Sequence, residues 1–138
     1  MPDLPALYEY LKKEKNTVFH YHIKDCFMFT NDAWKVMYGH GWADDWDRRY
    51  IKSTGLYMKV KELKKEFGFD TIEEAVDSKL TRVNGVPPRG ALVATDKNIA
   101  ATIIGKAFGI CIGNKAAFLS KSGVVYIPVR EITEAWVE

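Results

Sequence analysis

The hydrophobic period of this chain changes once, around Asn84-Gly85 and Pro87-Pro88, and that break limits the folds open to it. Ahead of it the apolar residues recur at helical spacing. Leu4, Leu7, Tyr8 and Leu11 form one such face, followed by Lys12, Lys13 and Lys15, which suit a helix C-terminus, and by Asn16 as its end. Asp25 is an N-cap for a second helix that runs to Tyr38, with Cys26, Phe29, Ala33, Trp34 and Met37 on one face and Gly39 as its stop. A third helix turns Leu56, Val60, Leu63 and Phe67 inward and closes at Gly68. Asp70 and Glu73 then form a capping box for a short fourth helix through Ile72, Ala75 and Val76. Thr17 to Lys24, aromatic and rich in His, reads as a strand or extended connection.

After the break come short apolar runs, Ala91 to Ala94, Ala107 to Ile112, Ala116 to Leu119 and Val124 to Val129. Gly113-Asn114 and Ser122-Gly123 supply tight turns between them. Helices first and strands second predict an α+β fold with an antiparallel β-sheet or small barrel. A length of 138 residues suits one domain, with 1–82 as its mainly helical half and 83–138 as its β half.

Composition excludes several classes. With 47% hydrophobic and 28% charged residues, the chain is neither collagen-like nor disordered. Its net charge of +2 is too small to predict a nucleic-acid partner. The most apolar stretch, Ala100 to Ile112, is interrupted by Lys106 and too short to span a bilayer, so no membrane insertion is expected. The N-terminus lacks the basic and apolar regions of a secretory signal, which predicts synthesis in a cytoplasm with Cys26 and Cys111 as reduced thiols.

Chemistry concentrates at Cys26. A cysteine in the first turn after an N-cap feels the positive end of the helix dipole, which lowers its pKa and suits a nucleophile. The plainer reading is a buried cysteine beside Phe29 and Ala33. Only His20, His22 and His40 could serve it as base. His20 and His22 precede it on an extended segment, where they equally read as polar residues on one strand face. The same three histidines with Cys26 have the atoms of a zinc site but, apart from His-x-His, none of the usual spacings, so no metal or other cofactor is assigned. Cys111 reads as core.

The segment Gly39 to Tyr50 interleaves Trp42 and Trp46 with Asp44, Asp45, Asp47, Arg48 and Arg49. Trp42, Trp46, Arg48 and Arg49 have the composition of a partner interface. The alternative is a loop that folds its tryptophans back over the helices. Trp34 and Trp136 are expected in the core.

The run Phe19-His20-Tyr21-His22-Ile23-Lys24-Asp25-Cys26 resembles the aromatic-x-Trp-Gly-x-x-Asp-Cys stretch of the NlpC-like cysteine peptidases. Nearly the whole chain is similar to a phage and prophage tail-associated family related to them. The elements that carry the likeness are Gly39, Arg48-Arg49-Tyr50, Ser53 to Leu56, Arg89-Gly90-Ala91, Gly109 to Gly113, Ala117-Phe118, Gly123 to Pro128 and Ala135-Trp136. The resemblance implies a papain-like NlpC-type fold with Cys26 at the nucleophile position and the catalytic histidine at the start of the strand beginning Ala107-Phe108. Ala107 stands where that histidine is expected, His22 replaces the glycine, and Ala91 replaces an aspartate. No histidine follows His40. The expectation is a structural or assembly protein of a phage tail tip or hub, a degenerate peptidase made in the host cytoplasm and carried in the virion tail, with other tail proteins as partners. The alternative is an active cysteine peptidase or amidase on cell-wall peptides, with His20 or His22 as base.

Overall fold

The structure is a computed structural model that describes residues 1–20, 23–52, 54, 57–96 and 105–138. Among them are four α-helices followed by a six-stranded antiparallel sheet, so the α+β expectation holds. The helices are α1 (Leu4–Glu14), α2 (Cys26–Tyr38), α3 (Val60–Phe67) and α4 (Ile72–Asp77). The strands are β1 (Thr81–Arg82), β2 (Leu92–Thr95), β3 (Ala107–Cys111), β4 (Lys115–Ser120), β5 (Gly123–Pro128) and β6 (Glu134–Val137). They lie in the order β1-β6-β2-β3-β4-β5. The sheet thus begins inside the half read as helical, because β1 pairs with β6 through Arg82 and Trp136.

α1 starts where Asp3 accepts the N–H of Ala6, and it buries Leu7, Tyr10 and Leu11. Tyr10, not Tyr8, is the inward tyrosine, and its hydroxyl donates to the Phe29 carbonyl at 2.9 Å. α2 has the predicted bounds. The Asp25 carboxylate accepts the Met28 N–H, and Gly39 ends the helix at φ 85°, the left-handed conformation that a glycine tolerates best. α4 is capped one residue later than predicted: Thr71, not Asp70, accepts the Glu74 N–H. Thr17 to Lys24 is not a strand, since within its described part only His20 and Lys24 form an isolated bridge. Leu56, expected on α3, lies outside the described residues.

The two sheet faces carry separate cores. One face packs under the helices through Leu92, Ala94, Phe108, Ile110, Ala117, Leu119 and Trp136, joined to Cys26, Phe29 and Trp34 of α2. The other buries Val93, Ala107, Cys111, Ala116, Phe118 and Ala135, and Val83, Val129 and Ile132 close over it. Trp34 and Trp136 are both fully buried, as expected. The Trp136 indole N–H also donates to Asp77 at 2.7 Å, which ties β6 to the end of α4. Trp136→Ala is expected to cost about 3–5 kcal/mol, read by urea unfolding. A near-wild-type midpoint would show that β6 contributes little to the core.

Candidate functional site

Asp25 and Cys26 sit where α2 begins, and both are fully buried. The Asp25 carboxylate is saturated by local and distant donors. Oδ1 takes the Met28 N–H at 2.9 Å, while Oδ2 takes the hydroxyls of Tyr50 at 2.5 Å and Tyr57 at 3.1 Å. A buried carboxylate costs several kcal/mol unless hydrogen-bonded, and this one is paired on both oxygens. Burial, followed by the charge of Asp25, pushes the Tyr50 hydroxyl far above its ordinary pKa, so it stays protonated and keeps donating.

Cys26 responds to its surroundings in the opposite sense from the helix-dipole expectation. Burial first, and the Asp25 charge second, push its thiol up to about 12. The backbone N–H groups of Phe108, Cys26 and Phe27 face the sulfur and pull the other way without prevailing. Among the described residues, none of the groups that set this pKa is an imidazole. His20 and His40 are both exposed. His20 lies in the bridge to Lys24, and His40 places Nδ1 3.0 Å from the Gly41 carbonyl and Nε2 3.5 Å from Glu138. His22 lies outside the described residues. Among the described residues no group of three His, Cys, Asp or Glu side chains is placed to hold a metal ion.

The resemblance set Ala107 where a histidine is expected, and the strand parity shows which way that residue points. Ala107 packs into the outer core with Phe118, on the face turned away from α2. Phe108 is the residue at the start of β3 that shares the inner core with Cys26, and its ring meets Trp42 and Trp136 at 6.2 and 6.3 Å. An aromatic hydrocarbon therefore occupies the inward position. It offers the sulfur nothing that accepts a proton.

The segment after Gly39 is also corrected. Trp42 and Trp46 are 6% and 8% exposed, so they cannot form the exposed aromatic centre of an interface. Trp42 donates its indole N–H to Thr30 and meets Phe27 edge to face, while Trp46 packs edge to face on Trp42 and Phe67. Asn31 anchors the turn by bonding Asp44 and the Ala43 N–H, and this holds the Asp44 carboxyl below its ordinary pKa. A Cβ on Gly41 would lie within 2.2–2.5 Å of the Asp44 and Asn31 side-chain ends, so a larger residue there would have to displace the Asn31–Asp44 bond. Arg48 and Arg49 remain exposed. Arg48 has φ 63°, a left-handed backbone uncommon outside glycine, and Arg49 stacks over Phe67 at 4.7 Å. Phe27, Trp42, Trp46, Tyr50, Phe67 and Phe108 are among the side chains that line a narrow apolar cleft between the helices and β3. The sequence reading missed the Tyr50 and Tyr57 pairing with Asp25, which spans 25 and 32 residues and leaves no local signal.

The chain matches, over residues 2–137, the family described as Domain of unknown function (DUF6950). It belongs to that family. No curated protein and no solved structure matches it. No helix of the described residues is long and apolar enough to cross a membrane.

Two outcomes test the site's construction. Asp25→Ala removes the α2 cap and strands two tyrosine hydroxyls, which should cost about 2–4 kcal/mol in urea unfolding. A loss under about 0.5 kcal/mol would mean the carboxylate holds nothing together. The second concerns pH. A thiol held neutral in the folded state favours folding below the unfolded pKa, near 9, and that stability is lost as pH rises from there toward 12. Wild type should therefore lose about 1–2 kcal/mol more than Cys26→Ala between pH 8 and pH 10. Parallel pH profiles for the two proteins would contradict the raised pKa.

Proposed function

We propose that this chain is an assembly component of a phage tail tip or hub, built on a degenerate NlpC-like fold in which the peptidase chemistry has been lost. The observation that carries the loss is the burial of Cys26 behind Phe108 with its thiol pushed up to about 12. At neutral pH such a thiol is ionised in roughly one molecule in 10⁵. A fully covered sulfur also leaves no room for a carbonyl carbon at the ~3–3.5 Å needed for attack. With no imidazole of the described residues at the sulfur, the leaving group lacks a proton donor there, a further loss of about 10²–10⁴ in rate. The tail-tip setting comes from the family resemblance in the sequence. A buried, unreactive relic of a nucleophile suits a chain whose role is to be held by neighbours.

The test is to purify tail particles through stringent washing and measure the copy number of this chain. It should stay attached at a fixed number per particle, and the purified chain should turn over no muropeptide. Absence from particles, together with muropeptide cleavage that Cys26→Ala abolishes, would replace this reading with the hydrolase.

A further inference from the structure

The Asn84-Gly85 pair, which marks the break in hydrophobic period, takes no part in the site around Cys26. It opens the loop that leaves β1, directly after the Val83 N–H closes on the Ala135 carbonyl at 2.8 Å. From there the chain runs out of the sheet. Asn84, Gly85 and Val86 are all exposed. Among the described residues, neither the Asn84 carboxamide nor the Gly85 N–H makes a hydrogen bond. Gly85 has φ 96°, and nothing lies within 4 Å of where its Cβ would stand.

An electrophilic carbon and a nucleophilic nitrogen are thereby left side by side with nothing holding them apart. Closing a ring between them needs a nitrogen whose proton meets solvent, a side chain able to turn onto it, and no Cβ on the following residue to crowd the approach. All of these are met at Asn84. The other asparagines, Asn16, Asn31, Asn98 and Asn114, each precede a residue with a Cβ. The Thr17 N–H is also bonded to the Glu14 carbonyl, and Asn31 is held in α2 by Asp44 and the Ala43 N–H. Asn98 lies outside the described residues.

We propose that Asn84 is a site of spontaneous covalent modification by water. Hydroxide takes the Gly85 amide proton and becomes water. The nitrogen then bonds to Asn84 Cγ while the carboxamide C–N bond breaks, and the departing NH2 takes a proton from water to leave as ammonia, which restores the hydroxide. A further water opens the succinimide. Attack at the side-chain carbonyl gives aspartate, and attack at the main-chain carbonyl gives isoaspartate, whose backbone is longer by a methylene. Nothing is oxidised or reduced. The new carboxylate enters a groove of about 550 Å³ between this loop and β6, where Arg82 and Arg130 are among the lining residues. Arg82 is already paired with both oxygens of Asp77, at 3.0 and 2.8 Å. Arg130, with a side chain 80% exposed, comes no nearer than 4.0 Å to Glu131. Conversion thus places an acid in the same groove as a loosely held arginine, and the chain gains negative charge as it ages, whether or not it is a tail component.

The purified full chain is incubated in weakly acidic and weakly alkaline native buffers and followed by ion-exchange chromatography and peptide mass mapping. Asn84 should convert ahead of every other asparagine, to a mixture of aspartate and isoaspartate, and faster in the alkaline buffer. Because no bond restrains the pair, its rate in the folded chain should lie within about tenfold of that in a free peptide spanning residues 81–88. Gly85→Ala should slow conversion by about tenfold or more. The peptide comparison needs no variant, so it decides the matter even where an alanine at this φ disturbs the loop. A folded rate below that tenfold range, another asparagine converting as fast, or a Gly85→Ala chain that converts as readily as wild type would each overturn the site.

Discussion

The buried carboxylate of Asp25 is the interaction on which the helical half depends. It opens α2 by capping Met28 and reaches across to the hydroxyls of Tyr50 and Tyr57, and so fixes the far end of the segment that leaves α2 at Gly39. With that end held, Trp42 and Trp46 fold back on Phe27 and Phe67, and the aromatic layer seals the start of α2 against β3. The same carboxylate adds negative charge beside Cys26. One group thus organises the local fold and helps silence the neighbouring thiol.

Magnitudes decide which effect rules at Cys26. The helix dipole stabilises an anion at the N-terminus by about 0.3–1 kcal/mol, or about 2 in favourable buried geometry. Moving the thiol from its ordinary 9.0 to about 12 corresponds to roughly 4 kcal/mol against the thiolate. Burial and the adjacent carboxylate therefore outweigh the dipole and the three surrounding N–H groups together. A helix start activates a cysteine only where solvent or a cation can share the charge, and Phe108 supplies neither.

Local signals in the sequence were reliable where the fold is local. Asp25 and Gly39 mark both ends of α2 because capping and left-handed termination involve residues within a turn of each other. The four apolar runs after Pro88 lie within a residue of β2 to β5, although the β4–β5 turn is Lys121-Ser122, with Gly123 already in the strand. What was illegible depends on distance or parity. Trp42 and Trp46 sit in a segment of glycine and aspartate that reads as exposed, and it is held inward by distant partners such as Asn31 and Thr30 on α2. Thr17 to Lys24 has strand composition, but its one described bridge folds back on itself between His20 and Lys24. Ala107 and Phe108 are neighbours in sequence, yet in a strand one residue exchanges the two faces, so which of them shares a core with Cys26 is legible only from the register.

The central claim, that Cys26 is held as a neutral, inaccessible thiol, is tested most directly by the pH dependence of its alkylation in the folded protein. Cys111→Ser leaves Cys26 as the only thiol, and iodoacetamide incorporation is followed by mass spectrometry. The account predicts that modification stays negligible through pH 9, rises only as the thiol ionises toward about 12, and becomes rapid at pH 8 once urea unfolds the chain. Rapid modification of the folded protein with an inflection near or below pH 7 would contradict it, because that is the behaviour of an exposed, activated thiolate.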